Sequence, residues 1–456
     1  VPWRQWLSFA FCALTFAAMI GQGTFSFFRR EDFWPWDSLA RSLRRLRADV
    51  ELRSIWWEGT VRDGKHFIPN YGPFPALLRF FPDLLFPSLN GRWSRLSCWL
   101  AAVVALAAFG WTVRCAAERN DRLSFPSRDR LIAWSLLGFT FATPVFYLMT
   151  NARMYHETLL WSVASSMVAT AFAWGIADGR LRDPRGLAGL SAAVGAVVLN
   201  RMTFGLAFHL LVLAWIGLWL GGGFPKPAER RSSARLTAAA IALAVLPLVA
   251  ADAVLLWYNY QKFGSCLCFT SFKGYFTDPA TYGGLYNWRR LPSTLAIYFG
   301  FTPRYFTASF PFLRFAPIEY FRPELFYHYR EEAIAFWLAS GWLAVAGVIG
   351  IRELWRGGFR RYRAEWIWTA LLWIQVGGIL TGFLATQRYE AELIPLSVLL
   401  YAFALRTQAH PGWTRWLLPV LAVSAYVTIA TACVWWASHP PADGPSAIQS
   451  LQGLFS

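Results

Sequence analysis

The sequence predicts an all-α polytopic membrane protein, and three observations carry that prediction. Uncharged stretches recur along the chain, at residues 5–28, 131–152, 158–177, 202–225, 333–351, 366–387 and 416–442. About 20 apolar residues in a helix cross about 30 Å of hydrocarbon, so each stretch is long enough to span a bilayer. The composition agrees: 56% of the 456 residues are hydrophobic and 15% are charged, with 26 Trp and 38 Phe. A soluble chain of this length has little room to conceal that much apolar surface. The third observation is where the Lys and Arg residues fall. With the N-terminus inside, the short cytoplasmic connections hold 20 of the 43, and the short outer connections hold only Arg153, Arg201 and Arg388. That asymmetry is the positive-inside pattern. The net charge of +17 therefore records topology rather than an affinity for nucleic acid.

The same reading places eleven spans, at residues 5–28, 96–113, 131–152, 158–177, 186–200, 202–221, 236–257, 333–351, 366–387, 391–405 and 416–438. The first is read as a span and not as a cleavable leader, because its uncharged run is long and no small-residue cleavage pattern with a soluble domain follows. Two long outer segments, 24–95 and 258–332, carry the remaining 20 basic residues. Both are rich in aromatics and prolines, as suits chain folded on a membrane surface. In the first, "DSLARSLRRLR" (residues 37–47) sets Leu39, Leu43 and Leu46 on one helical stripe with arginines largely opposite. That pattern predicts an interfacial helix with its leucines in lipid. Farther on, "VRDGKHFIPNYGPFPALLRFFPDLLFP" (residues 61–87) opens polar, turns through Pro73 and Pro75, and ends as a short, kinked, interfacial helix predicted from Ala76. In the second segment "LAIYFGFTPRYFTASFPFLRFAP" (residues 295–317) has the same character.

The six cysteines show no CxxC and no Cys/His metal spacing. Cys266 and Cys268 face outward, but a single intervening residue is poor geometry for a mutual disulfide. No internal repeat is visible.

The order of motifs resembles GT-C membrane glycosyltransferases, particularly the bacterial dolichyl-phosphomannose-mannosyltransferase-like (family 39-like) proteins. A single N-terminal span is followed by an outer loop with an early acidic residue and "SLARSL", and then by "DGKHFIPNYGPFPALL". "YNYQKFGSCLCFTSFKGY" (residues 258–275) and "QRYEAELIPLSVLL" (residues 387–400) resemble later strings of the same family. Two departures stand out. His66-Phe67-Ile68 replaces the usual Tyr-Ser, and the Pro pair is spread to Pro73-Phe74-Pro75. The resemblance implies a GT-C-like bundle with a catalytic transmembrane module at 1–257, a second extracytoplasmic loop at 258–332 and C-terminal spans at 333–456. It implies transfer of a sugar, with inversion, from a polyprenyl-phosphate donor to a lipid, glycan or protein hydroxyl. The reaction would face the periplasm or outside of a bacterial inner membrane. It implies no fixed cofactor: some members hold a divalent cation between loop acids and others do not.

Such a transfer needs a carboxylate to take the hydroxyl proton, cations for the departing phosphate, and an apolar groove for the lipid tail. By the resemblance the base is an Asp early in the first outer loop. Asp37 is favoured, with Asp32 and Glu31 as rivals, and Asp37 also sits where a helix N-cap would. A second site group is expected in "NARMYHETLL", where Glu157 and His156 stand at the mouth of two spans. The alternative is that Arg153 and Glu157 form an i,i+4 pair. For phosphate and substrate binding the candidates are Arg201, Arg388 with Tyr389, and Lys65, His66 and Tyr71 in the first outer loop. Asp252, inside a span, pairs either with a cation such as Arg201 or with a neighbouring helix. The rival functions are a transporter of lipid-linked saccharide and a glycan ligase or other membrane transferase. A transporter predicts polar groups through the depth of the bundle and repeated halves. A ligase would draw on Arg289, Arg290, His328 and Arg330 in the second outer loop.

Overall fold

A computed structural model describes residues 3–31, 34–55, 59–68, 71–181, 183–221, 238–268, 279–300, 305–307, 311–313, 320–326, 333–382, 386–407 and 413–438. The chain is helical, with one two-stranded hairpin among the described residues. Its first part runs α1 (Trp3–Ile20), α2 (Pro35–Leu43), α3 (Leu52–Ile55), the hairpin β1 (Thr60–Arg62) and β2 (Lys65–Phe67), then α4 (Phe74–Leu85). Next come α5 (Ser94–Glu118), α6 (Phe125–Phe141), α7 (Pro144–Leu148), α8 (Met154–Ala177), α9 (Pro184–Asn200), α10 (Met202–Leu220) and α11 (Ala238–Phe263). After α12 (Leu291–Phe299) and α13 (Phe336–Ala339) the chain closes with α14 (Gly341–Arg361), α15 (Arg363–Thr381), α16 (Ile394–Thr407) and α17 (Trp413–Ser438).

Four stretches, Ser94–Glu118, Met154–Ala177, Ile241–Phe263 and Leu417–Trp435, are long and apolar enough to cross a membrane. This is a polytopic helical membrane protein. The other segments expected to span also fall on helices, but among the described residues they do not reach that length and apolarity, so the expected eleven spans are not all established. The expected span 131–152 is divided. Thr143 turns the chain with extended backbone, its hydroxyl accepts from the Val145 amide at 3.3 Å, and Pro144 starts a new helix. Proline is tolerated in a first helical turn because the N–H it lacks has no partner there anyway.

The most extensive helix pairings mostly skip a sequence neighbour. α5 lies along α8, α8 and α11 flank α9, and α14 pairs with α16. Together they bury one large apolar core. A second, smaller core lies under α2 and joins Trp36, Leu39, Ile55 and Phe67 to Met154 and Tyr258.

That second core corrects the expectation for 37–47. Leu39 and Leu43 pack against protein and not into lipid, because α4 lies across α2 and closes its apolar stripe. Leu46 falls beyond the end of the helix, at φ +52°, and is 79% exposed. The lipid-seeking helix is α4 instead. It begins at Phe74, two residues earlier than expected, with Pro75 in its first turn. Its polarity is inverted relative to a soluble helix: Leu78, Phe81, Leu84 and Leu85 point out, while Arg79 and Asp83 are buried one turn apart. An apolar face turned outward beside charges turned inward is the signature of a helix lying in a membrane interface.

In the second long segment Arg290 is fully buried. Its guanidinium donates to five carbonyls, those of Leu325, Leu285, Thr381, Tyr282 and Gly284, at 2.6–3.0 Å. It staples that segment to the end of α15. Arg289 is exposed, and His328 and Arg330 lie outside the described residues.

Candidate active site

Asp37 stands in the first turn of α2. The N-cap position belongs to Trp34, so Asp37 does not cap the helix. Its carboxylate reaches across to other elements. Oδ2 accepts from Arg79 Nη1 at 2.8 Å, and Oδ1 accepts from the Gly91 amide at 3.1 Å. Gly91 has φ +79°, a conformation that favours glycine, and this turn before α5 is what aims its N–H at the carboxylate.

Arg79 extends from α4 between two acids. Its Nη2 pairs with Glu157 Oε1 at the start of α8 and lies 3.3 Å from Ser94 Oγ. Glu157 therefore does not pair with Arg153. One turn along α4, Asp83 faces the same interior, where Arg44 approaches its Oδ2 at 3.4 Å and Asn90 donates at 3.3 Å. Asp37 and Glu157 are 0% exposed and Arg79 is 3% exposed. Three segments far apart in sequence thus deliver two carboxylates and the guanidinium they share to one buried spot, with Asp83 one turn away.

The electrostatics follow from that burial. Desolvation pushes the Asp37 carboxyl up, against the pull of Arg79 and of the Gly91 amide. Burial also works against the Arg79 charge, but Asp37 and Glu157 outweigh it and hold the guanidinium firmly protonated. Asp83 is pushed up to about 6, by burial first and by the charge of Asp37 second. An acid whose folded value is raised binds its proton more tightly folded than unfolded, so its contribution to stability falls as pH rises. For Asp83 that window runs from its ordinary value of 3.8 to about 6. Thermal unfolding in detergent should show stability declining across that window, and Asp83→Asn should flatten the decline. An unchanged slope in that variant would show that Asp83 is not its source.

A second polar cluster surrounds Tyr71–Gly72. The Gly72 amide donates to Asn200 O at 3.1 Å, which sets this loop beside Arg201. Arg201 pairs with Glu392 at 2.6 Å and lies over the Tyr389 ring at 4.4 Å. Tyr71 packs edge-on against Tyr155 at 5.6 Å, and Arg388 covers Tyr155 at 4.6 Å. Lys262 donates to Tyr71 O at 3.2 Å. Gly72 admits no side chain: an added Cβ would lie 2.0 Å from Leu199 O. Gly72→Ala should therefore lower stability by about 1–3 kcal/mol or more, as overpacking does, with a lower melting temperature as the measure. An unshifted melting temperature would show that the loop is not held this closely.

The structure thus brings Asp37 and Glu157 together in one cluster and Tyr71, Arg201, Arg388 and Tyr389 in the other. Tyr71 and Tyr155 lean on the core that contains Trp36, the neighbour of Asp37, so both clusters border one small core. The remaining candidates stand apart. Lys65 is exposed at the hairpin tip and His66 is half-buried within the hairpin. His156 is buried, with Nδ1 3.1 Å from Leu148 O and its ring against Tyr147 and Trp435. Glu31 is paired with Arg95 at 2.5 Å, and Asp32 lies outside the described residues. Asp252 bonds His209 on α10 at 3.0 Å and is not the partner of Arg201. Among the described residues no three His, Cys, Asp or Glu side chains gather as a metal would require, and the guanidinium of Arg79 stands between Asp37 and Glu157.

No family profile matches the chain, and no curated protein does. Among solved structures it resembles ArnT from Cupriavidus metallidurans bound to undecaprenyl phosphate, at 14% identity and TM-score 0.47, over 92% of this chain and 63% of that one. It also resembles the oligosaccharyltransferase AglB from Archaeoglobus fulgidus, in complex with an inhibitory peptide and a dolichol-phosphate. That match has 13% identity and TM-score 0.46, over 97% of this chain and 56% of the other. In both cases the chain spans less than two thirds of its neighbour's length. These likenesses are distant.

Sequence reasoning passed over Arg79, Asp83, Gly91 and Lys262. For the first two a signal existed. "ALLRFFPDLL" carries its only two charges four residues apart, on one face of an otherwise apolar helix.

Proposed function

We propose that the chain is a membrane glycosyltransferase that moves a sugar from a polyprenyl-phosphate donor to a hydroxyl acceptor at the extracytoplasmic interface. The observation that carries this reading is the Asp37–Arg79–Glu157 cluster. A buried carboxylate bonds a shared arginine on α4, next to a second cluster that gathers Arg201, Arg388 and Lys262 around tyrosines. The motif order that resembles GT-C enzymes supports the same reading.

In this reaction the acceptor oxygen bonds to the sugar C1 as the C1–O bond to phosphate breaks. The electron pair of that bond stays on the phosphate oxygen. The acceptor proton goes to Asp37, which burial makes a stronger base than an exposed Asp. Arg79 works against the effect of burial and favours the ionised carboxylate, and Glu157 holds Arg79 in reach. The second cluster receives the phosphate, where aromatic faces suit a sugar ring and cations suit the departing charge. Asp37 is enclosed in this structure, so the acceptor reaches it only when the chain around it moves.

The test is to incubate purified protein in lipid with a panel of radiolabelled polyprenyl-phosphate sugars. Release of polyprenyl phosphate with one of them is the expected result. No release from any donor, together with transmembrane movement of intact lipid-linked saccharide in vesicles, would replace this reading with transport.

A further inference from the structure

α10 and α11 both lie along α9, and a side-chain hydrogen bond ties them to each other. His209 on α10 meets Asp252 on α11, with Nε2 3.0 Å from Oδ1 and 3.2 Å from Oδ2. The other ring nitrogen, Nδ1, lies 2.7 Å from Gly205 O, one turn back. A carbonyl only accepts, so Nδ1 carries hydrogen. Nε2 faces a carboxyl group, so a second proton lies between ring and acid. Whichever of the two holds it, both ring nitrogens are engaged. Among the described residues no other donor reaches the acid, and only its lone pairs are left to offer outward.

The dyad faces away from the protein. The side chains of His209 and Asp252 are 30% and 36% exposed. Leu206 and Leu213 on α10 and Val249 on α11, all more than half exposed, surround them. Ile241–Phe263 is long and apolar enough to cross a membrane, and Asp252 is its middle residue. His209 lies about 10 Å along α10 from Met202. At that depth there is no water, and acyl chains have no N–H or O–H to give. Ionisable side chains inside a membrane are costly, and nearly all of them face protein. This pair faces out.

We infer that the α10–α11 face docks a transmembrane helix of a partner protein, and that this helix presents a hydrogen-bond donor to Asp252 at mid-depth. The chemistry of the dyad selects the occupant. Lipid headgroups lie about 15 Å from the middle of the hydrocarbon, out of reach. A second copy turned about a twofold axis would bring the same dyad, which has no donor left. A helix with an amine, amide or hydroxyl at its middle supplies what is missing, and apolar side chains around that donor match Leu206, Leu213 and Val249.

The probe is a fluorescent Leu-Ala peptide of about 20 residues with one central Lys, set against the same peptide with Leu in that place. Lysine donates and does not accept, so it reads a face that offers only acceptors and does not bind its own kind. Energy transfer to the labelled full chain in phosphatidylcholine vesicles measures binding, for wild type, Asp252→Leu and the double variant His209→Phe with Asp252→Leu. The Lys peptide should bind wild type roughly 5- to 30-fold more tightly than the Leu peptide, and both variants should lose that preference. The double variant leaves neither partner of the dyad behind, and an unshifted melting temperature shows that its lost preference is not a folding defect. Equal binding of the two peptides to wild type would overturn the proposal. So would a preference that survives in the double variant, because the lysine would then be answering to lipid phosphate or to another face. Wild-type chains that pair with one another in the same vesicles, where double-variant chains do not, would overturn it in favour of a second copy.

Discussion

Replacing Asp37 with Asn should lower sugar transfer by about 100- to 10,000-fold, the usual contribution of a positioned general base. The variant should still insert and fold. Asn has the shape of Asp, its carbonyl oxygen can accept from Arg79 Nη1 or from the Gly91 amide, and Arg79 keeps Glu157 as its partner. The release of polyprenyl phosphate from a labelled donor is the measurement, with the melting temperature as the control for folding. Turnover unchanged in Asp37→Asn would move the base to Asp32 or Glu31. Of these, Glu31 is already bound to Arg95 and would have to leave it to serve.

Replacing Arg79 with Met should have the largest effect on stability. Removing one partner from a buried charge cluster costs about 3–5 kcal/mol, because the opposite charges stay behind without water. Here Asp37 and Glu157 would lose the guanidinium they share beneath α4, and Asp83 would keep only Arg44. The expected result is a sharply lower yield of folded protein in detergent. Recovery should follow when Asp37→Asn and Glu157→Gln are added, since neutral amides need no counter-ion. The pH response has a definite sign. Without Arg79 the carboxyls bind protons more tightly folded than unfolded, so the single variant should grow more stable as pH falls. An Arg79→Met protein as stable as wild type at neutral pH would show that the cluster is not the buried ion network described here.

The helical frame was legible in the sequence because it rests on local composition. Uncharged runs bounded by arginines mark helices whatever their neighbours are, and each expected span fell on one. The break at Thr143–Pro144 was visible as a proline, but an uncharged run outweighs one proline when residues are counted and no partner helix is known. The fate of α2 was not legible. Its leucine stripe and arginine face read equally well against lipid or against protein, and only the arrival of α4 decides between them. The site divides in the same way. Asp37, Glu157, Arg201 and Arg388 drew notice because each is a charge at the edge of an apolar run. Their partners lie too far along the chain for any pattern to join them. Arg79 is 42 residues from Asp37 and 78 from Glu157. Lys262 is 191 residues from Tyr71. Glu392, in "QRYEAEL", lies four residues from Arg388, yet it is Arg201, almost two hundred residues away, that it holds.

The inside-out helix α4 ties the site to whatever surrounds the protein. Leu78, Phe81, Leu84 and Leu85 face outward, while Arg79, on the opposite side of the same two turns, bonds Asp37. A water-soluble redesign of this fold would have to repaint those four side chains first, and in doing so would alter the helix that carries that arginine.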